Sequence, residues 1–356
     1  MRLALFKFVL LFFLLTPCTV QAASYDIPRI SGEDIYNSSA EKIISGNFDM
    51  NPINIFNSIV SALLKEIKDS GYFTVTVLII AAMSGTIKIL GDSFNGEGAR
   101  AAQLICFAMM STISLRCFCM ALEYGTNVVN TVCDFINKFT PAFVMTMLAC
   151  GNFTTAGVFS PVLSGTVYII SIVVSKCLVP MISFSAILSV AGNIAEKMQV
   201  SNFCRVLKSL SKWIMVALIT VFTAVSAAYG LSAPSLDAVG AKTVKFAVGS
   251  MVPVVGGFLS DTLETVLSGT RLVKNAAGTA GMIAICAMCL IPVLKVFAIQ
   301  LILKAGAALC EPLADKRVSN MLWDMSESVT MIFAAVVMVM VIFLINIGII
   351  LAVTGF

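Results

Sequence analysis

A chain of 356 residues that is 59% hydrophobic and only 12% charged lacks the charged surface of a soluble domain, in which about a quarter of residues carry charge. Its formal net charge of +4 is small, and its bases form no patch interleaved with aromatics, which excludes a nucleic-acid-binding surface. The expected fold class is an all-α polytopic membrane protein with about six transmembrane helices plus amphipathic interfacial or re-entrant helices.

Residues 1–22 read as a signal peptide. Arg2 is a thin basic start, an apolar run follows that only Lys7 interrupts, and Val20, Gln21 and Ala22 suit cleavage after Ala22. An uncleaved anchor is the alternative. Residues 23–71 form an external acidic N-terminal region. Its acids (Asp26, Glu33, Asp34, Glu41, Asp49, Glu66, Asp69) outnumber its bases (Arg29, Lys42, Lys65, Lys68). Residues 72–356 form the polytopic membrane domain.

Apolar stretches near the length needed to cross a bilayer, about twenty residues, occupy 72–90, 101–122, 160–191, 213–231, 276–303 and 329–353. The third holds Lys176 and Pro180, so it is either one kinked helix or a span followed by a broken half-helix. Segment 123–140 fits neither span nor loop. Val128, Val132, Phe135, Ile136 and Phe139 share one helical face, and Asn127, Asn130, Asp134 and Asn137 share the other. Residues 141–150 are apolar but too short to cross, and suggest a re-entrant piece ending at Gly151 and Asn152.

The segment 201–212, with Arg205, Lys208, Lys212 and the nearby Lys197, has the strongest short-loop positive charge and is therefore expected to be cytoplasmic. Counting outward places 88–100, 192–212 and 304–328 inside, and the mature N-terminus and the C-terminus outside. Segments 123–140 and 257–275 then share the external side. In the second, Asp261, Glu264, Ser268, Arg271 and Asn275 recur at spacings of three and four, opposite Leu259, Leu263, Val266, Thr270 and Val273. Asp261, Glu264, Arg271 and Lys274 are candidates for docking a partner or lining a polar pathway, docking being favoured. The small residues Ala277, Gly278, Ala280 and Gly281 just beyond them suit close helix packing.

Catalytic signals are sparse. There is no histidine, which removes the commonest general base and metal ligand. The eleven cysteines lie mostly in apolar runs, where cysteine is an ordinary small buried residue. Cys286 and Cys289 have C-x-x-C spacing but no partner pair, and no G-x-x-x-x-G-K-[ST] loop is present. No catalytic, cofactor-binding or metal residues are assigned, and the chain is not expected to be an enzyme. Arg116, Lys176 and Lys295 are candidate intramembrane polar residues. For Lys176 a bundle-interior position and snorkelling to a headgroup stand level.

Several strings carry a resemblance. They are the G-x-x-V-P-V-V-G start and L-V-K-N-A-A-G-T-A-G end of 249–281, Val179-Pro180 with Phe184-Ser185-Ala186-Ile187-Leu188, Val244-Lys245-Phe246, Pro292-Val293-Leu294-Lys295, and Ala307-Ala308-Leu309 with Glu311-Pro312-Leu313. In this order, with the final span, they resemble the stage III sporulation protein AE family from residue 72 to the end. The resemblance implies a membrane core subunit of a mother-cell-to-forespore channel or secretion-like complex required for endospore development, set in the mother-cell (outer forespore) membrane. It implies sister stage III sporulation subunits, including a cytoplasmic ATPase, and a forespore membrane protein as partners, beside membrane lipid; homo-oligomers are compatible with it. It carries over no site residues. An autonomous secondary transporter or permease for a small solute is the alternative, on the proline-broken spans and intramembrane lysines.

Overall fold

The structure is a computed structural model that describes residues 61, 79, 97–194, 201–251, 256–312 and 316–353. All fall within one compact unit, Ser31–Phe356. The expected signal peptide, nearly all of the acidic region 23–71 and the expected span 72–90 lie outside the described residues.

Every regular element among the described residues beyond 96 is helical. Helix α1 is Glu97–Ala149, α2 Phe153–Ile172, α3 Val179–Ile194, α4 Ser201–Met251, α5 Gly256–Cys310 and α6 Lys316–Val353. A π-helical segment, Val173–Leu178, joins α2 to α3. Five runs are long and apolar enough to cross a membrane: Gln103–Ala149, Phe153–Asn193, Asn202–Ala228, Leu272–Cys310 and Lys316–Ile349. They correspond to the five spans expected after residue 100.

The helices are longer than those spans. At about 1.5 Å per residue, the 53 residues of α1 extend about 80 Å. Segment 123–140 and the apolar 141–150 are therefore not separate interfacial and re-entrant pieces; both belong to α1. The physical reason is a continuous buried face, in which Val132, Ile136, Phe139, Phe143 and Met147 follow one another at three- and four-residue steps. That packing carries the helix past Pro141. Segment 257–275 is likewise continuous with 276–310 in α5. The expected loops 192–212 and 304–328 are largely helical as well: α4 begins at Ser201, α5 runs on to Cys310 and α6 begins at Lys316.

Local chemistry explains the two irregular places. Helix α1 stops at Gly151, whose φ of 79° favours glycine. The Asn152 N–H donates to the Met147 carbonyl at 3.1 Å and the Gly151 N–H to the Leu148 carbonyl at 2.9 Å, the paired bonds of a Schellman cap. Pro180 has no N–H to offer the Lys176 carbonyl. The chain absorbs this by bonding one residue further back, Val179 N–H to the Val174 carbonyl, so 160–191 is one continuous helical run rather than a broken one.

Contacts between helices fix their directions. Ser111 meets Met321 and Gly125 meets Ile332, so α1 and α6 run parallel. Lys208 meets Asp324 and Ser226 meets Asn346, so α4 is parallel to both. Phe139 meets Gly281 and Tyr124 meets Lys295, so α5 runs the other way. Helix α6 is central and packs against α1, α3, α4 and α5. The outer surface carries large apolar side chains such as Ile169, Phe184, Val221 and Leu290, as a lipid-facing exterior requires.

Candidate functional site

The polar chemistry inside the bundle gathers where α3, α4 and α6 meet. Helix α3 presents Ser185, Ser189 and Asn193 at four-residue steps, one stripe of a helix. Helix α4 answers with Cys204, Lys208 and Ser211, and α6 with Asp324, Glu327 and Ser328. The centre is Lys208, buried to 7% exposure although it is a cation. Its ammonium donates to Glu327 Oε2 at 2.9 Å and to the Asp324 carbonyl at 3.2 Å, and lies 3.8 Å from Asp324 Oδ1. The Asn193 amide donates to Asp324 Oδ2 at 3.4 Å and to the Ser189 carbonyl at 2.8 Å. The Cys204 thiol points to the Ser185 carbonyl at 3.8 Å. Three helices thus meet at Asp324, which takes Lys208 from α4 and Asn193 from α3, and the lysine is more buried than either of its carboxylate partners.

A second polar link joins α4 to α6 further along. The Ser226 hydroxyl donates to Asn346 Oδ1, and the Asn346 amide donates to the Ile342 carbonyl at 2.6 Å. Eighteen residues of α4 separate the two links, about 27 Å, close to the roughly 30 Å hydrocarbon thickness. Trp213 and Trp323 stand exposed close to the Lys208 link, and Tyr168 is exposed on α2. Indole and phenol rings in such places match the aromatic belts at membrane interfaces.

The sequence-predicted residues are distributed as follows. Arg116 is exposed on α1. Lys176 sits in the π segment and is exposed, so it does not occupy the bundle interior. Lys295 is partly buried, with its ammonium 5.2 Å from the centroid of the Tyr124 ring; it ties α5 to α1 by a cation–π contact. Asp261, Glu264 and Arg271 lie on α5, and their side chains are outside the described set.

Lys274 departs from the expectation of a surface docking residue: its relative exposure is 0%, while its neighbours Leu272 and Val273 are exposed to 73% and 51%. At 272–274 the apolar side chains face outward and the ammonium inward, the reverse of a soluble helix surface and suited to lipid surroundings. Asn275 is partly buried beside it, with its Oδ1 free of hydrogen bonds. The small-residue cluster behaves as expected. A Cβ on Gly281 would stand 2.8 Å from the Phe139 ring, and one on Gly278 would overlap Leu351.

The sequence reading missed the Lys208 cluster and the Ser226–Asn346 link. Lys208 counted only as a loop charge. Asn346, the lone amide in the apolar stretch 329–353, was the available signal for the second. Among the described cysteines Cys106, Cys117, Cys133, Cys150, Cys204, Cys289 and Cys310 are buried, as small apolar residues are, and Cys286 is exposed on the outer face of α5.

Residues 36–354 match the family described as stage III sporulation protein AE. The match begins well before residue 72 and takes in most of the acidic region. A protein of that name from Bacillus subtilis (strain 168) is 26% identical over 314 residues, covering 88% of this chain and 79% of the relative. No solved structure matches.

Proposed function

The chain belongs to the stage III sporulation protein AE family, and from that premise we propose that this sporulation membrane protein is the multi-pass core subunit of a mother-cell-to-forespore channel or secretion-like complex. The observation that carries the reading is the family match along 36–354, nearly the whole chain. The architecture is in keeping with it. Polar groups hold helices together at Lys208 and at Ser226–Asn346, which is what a scaffold spanning a membrane needs. The proposed role is non-catalytic, in the mother-cell membrane. The proposed partners are sister stage III subunits, with a cytoplasmic ATPase among them, and a forespore membrane protein. Energy for transport comes from those partners, since the sequence has no nucleotide loop of its own.

The test is purification of the tagged full-length protein from sporulating cells, with its partners identified by mass spectrometry. Recovery of several sister membrane proteins and an ATPase is expected. The second reading, an autonomous transporter, draws on the π segment at Lys176 and Pro180 and on the buried Lys208 beside two carboxylates. Saturable solute flux into liposomes containing this protein alone, with no partners recovered from cells, replaces the first reading by the second.

A further inference from the structure

Helix α1 is out of step with its neighbours. The apolar stretches of α4 (213–231), α5 (276–303) and α6 (329–353) lie at one level, because Ser226 meets Asn346, Gly278 meets Leu351 and Phe297 stacks on Phe333. The apolar stretch of α1, 101–122, lies below that level: Ser111 is beside Met321, within the charged start of α6. What α1 places beside the apolar stretch is 123–140, since Gly125 meets Ile332 and Val336 while Phe139 meets Gly281.

The outward face of that segment is polar throughout. Every exposed residue between 123 and 138 is Glu, Asn, Thr, Asp or Lys. Glu123, Asn127, Asn130, Asp134 and Asn137 succeed one another at alternating steps of four and three, and Thr131 and Lys138 widen the stripe on one flank. At the same level the exposed side chains of α4 and α5 include Val216, Val221, Leu290 and Ile291, and α6 exposes none between 331 and 349. Carboxylates and an ammonium cannot rest against lipid tails at the depth where Leu and Ile do; such groups face protein or water.

The width of the face separates those two. At 100° per residue it covers an arc of about 120°, broader than the narrow a/d seam through which two coiled-coil helices pack. A helix packed on it would have to pair Glu123, Asp134 and Lys138 away from water; a water-filled space leaves them hydrated. We propose that this face of α1 lines a water-filled path through the membrane, walled by the same face of further copies of this chain. Copies inserted in one orientation are related by an axis along the membrane normal, so each brings its polar stripe to the same depth as its neighbour's. The inference deepens the channel reading above and rests on it for what passes along the path.

The test uses the full chain in membrane nanodiscs, without any transport assay. Single cysteines replace Asn127, Asn130 or Asp134, and as controls Val216 or Ile291, in a Cys286→Ala background. N-ethylmaleimide, which needs a hydrated thiolate, is the probe, and modified peptides are read by mass spectrometry to separate them from the native cysteines. The stripe positions are expected to react roughly tenfold faster or more than the controls, and the nanodisc particles to contain more than one copy by mass photometry. Unreactive stripe positions overturn the path, whether or not oxidation cross-links one copy to another. Equal reactivity at Val216 and Ile291 overturns the depth assignment. A labelled stripe on a single-copy particle overturns the walls of further copies. None of these outcomes touches the recovery of sister subunits from cells, so the channel reading stands or falls separately.

Discussion

The ring of Phe139 occupies the space beside Gly281 that a Cβ would need, 2.8 Å away, and so sets how closely α1 approaches α5. Phe139 cannot swing aside freely, because it stacks between Phe135 and Phe143 at centroid distances of 5.7 and 5.0 Å. Gly281→Ala is therefore expected to destabilise the protein by about 1–3 kcal/mol through overpacking. Gly157→Ala on α2, where nothing lies within 4 Å, is expected to be neutral or to stabilise by up to about 1 kcal/mol from helix propensity. Thermal unfolding of the two variants in detergent checks the difference; equal shifts contradict the close approach.

The Lys208 cluster should respond asymmetrically. Replacing Asp324 by Asn together with Glu327 by Gln leaves a buried ammonium with no carboxylate, at a cost of about 3–5 kcal/mol. Lys208→Met instead leaves two carboxylates that already reach solvent, and is expected to change stability by about 1 kcal/mol or less. Unfolding midpoints of the purified variants measure this. A lysine variant as damaged as the double acid variant would show that the cation is not the buried, dependent member.

The Ser226–Asn346 link offers a double-mutant cycle. Ser226→Ala, Asn346→Ala and the double variant are expected to show a coupling of about 0.6 kcal/mol, and no more than about 1.7 kcal/mol, the range for interhelical hydrogen bonds in membranes. Additive single effects would mean the bond contributes no net stability.

Gly151→Ala tests the end of α1. A side chain at a φ of 79° is disfavoured by about 1–2 kcal/mol, so the variant should unfold earlier and expose the α1–α2 turn to proteolysis between residues 149 and 153. Unchanged protease resistance and melting would mean that the turn relaxes without loss.

For α5, Asp261→Lys combined with Glu264→Lys is expected to reduce recovery of partner proteins from sporulating cells while the level of the chain itself is unchanged. Sporulation and partner recovery that both survive the reversal would remove these two acids from any docking surface.

Much of the architecture is legible in the residues alone. Runs of twenty or more apolar residues mark the crossings, and Gly278 and Gly281 mark the close approach, because a bilayer permits few alternatives to a helix. The depth of α1 is not legible in the same way. Hydropathy places its span at 101–122, whereas side-chain contacts at Ser111, Gly125 and Phe139 set the helix about a dozen or more residues further along relative to α6. Lys274 sits inside although Leu272 and Val273 beside it face out, since periodicity gives the two faces of a helix and not which one meets lipid. Lys208 escaped for a related reason: a charge at a span's edge reads as a topology signal until a neighbouring helix is seen to cover it.

Successive long runs alternate in direction, and there are five of them among the described residues. An odd number of passes leaves Glu97 and Val353 in different compartments. A fluorescent or proteolytic reporter joined after residue 353 therefore samples the opposite side of the membrane from one inserted just before residue 97. Whichever proteins meet the Glu97 end of α1 and the Val353 end of α6 need never share a compartment.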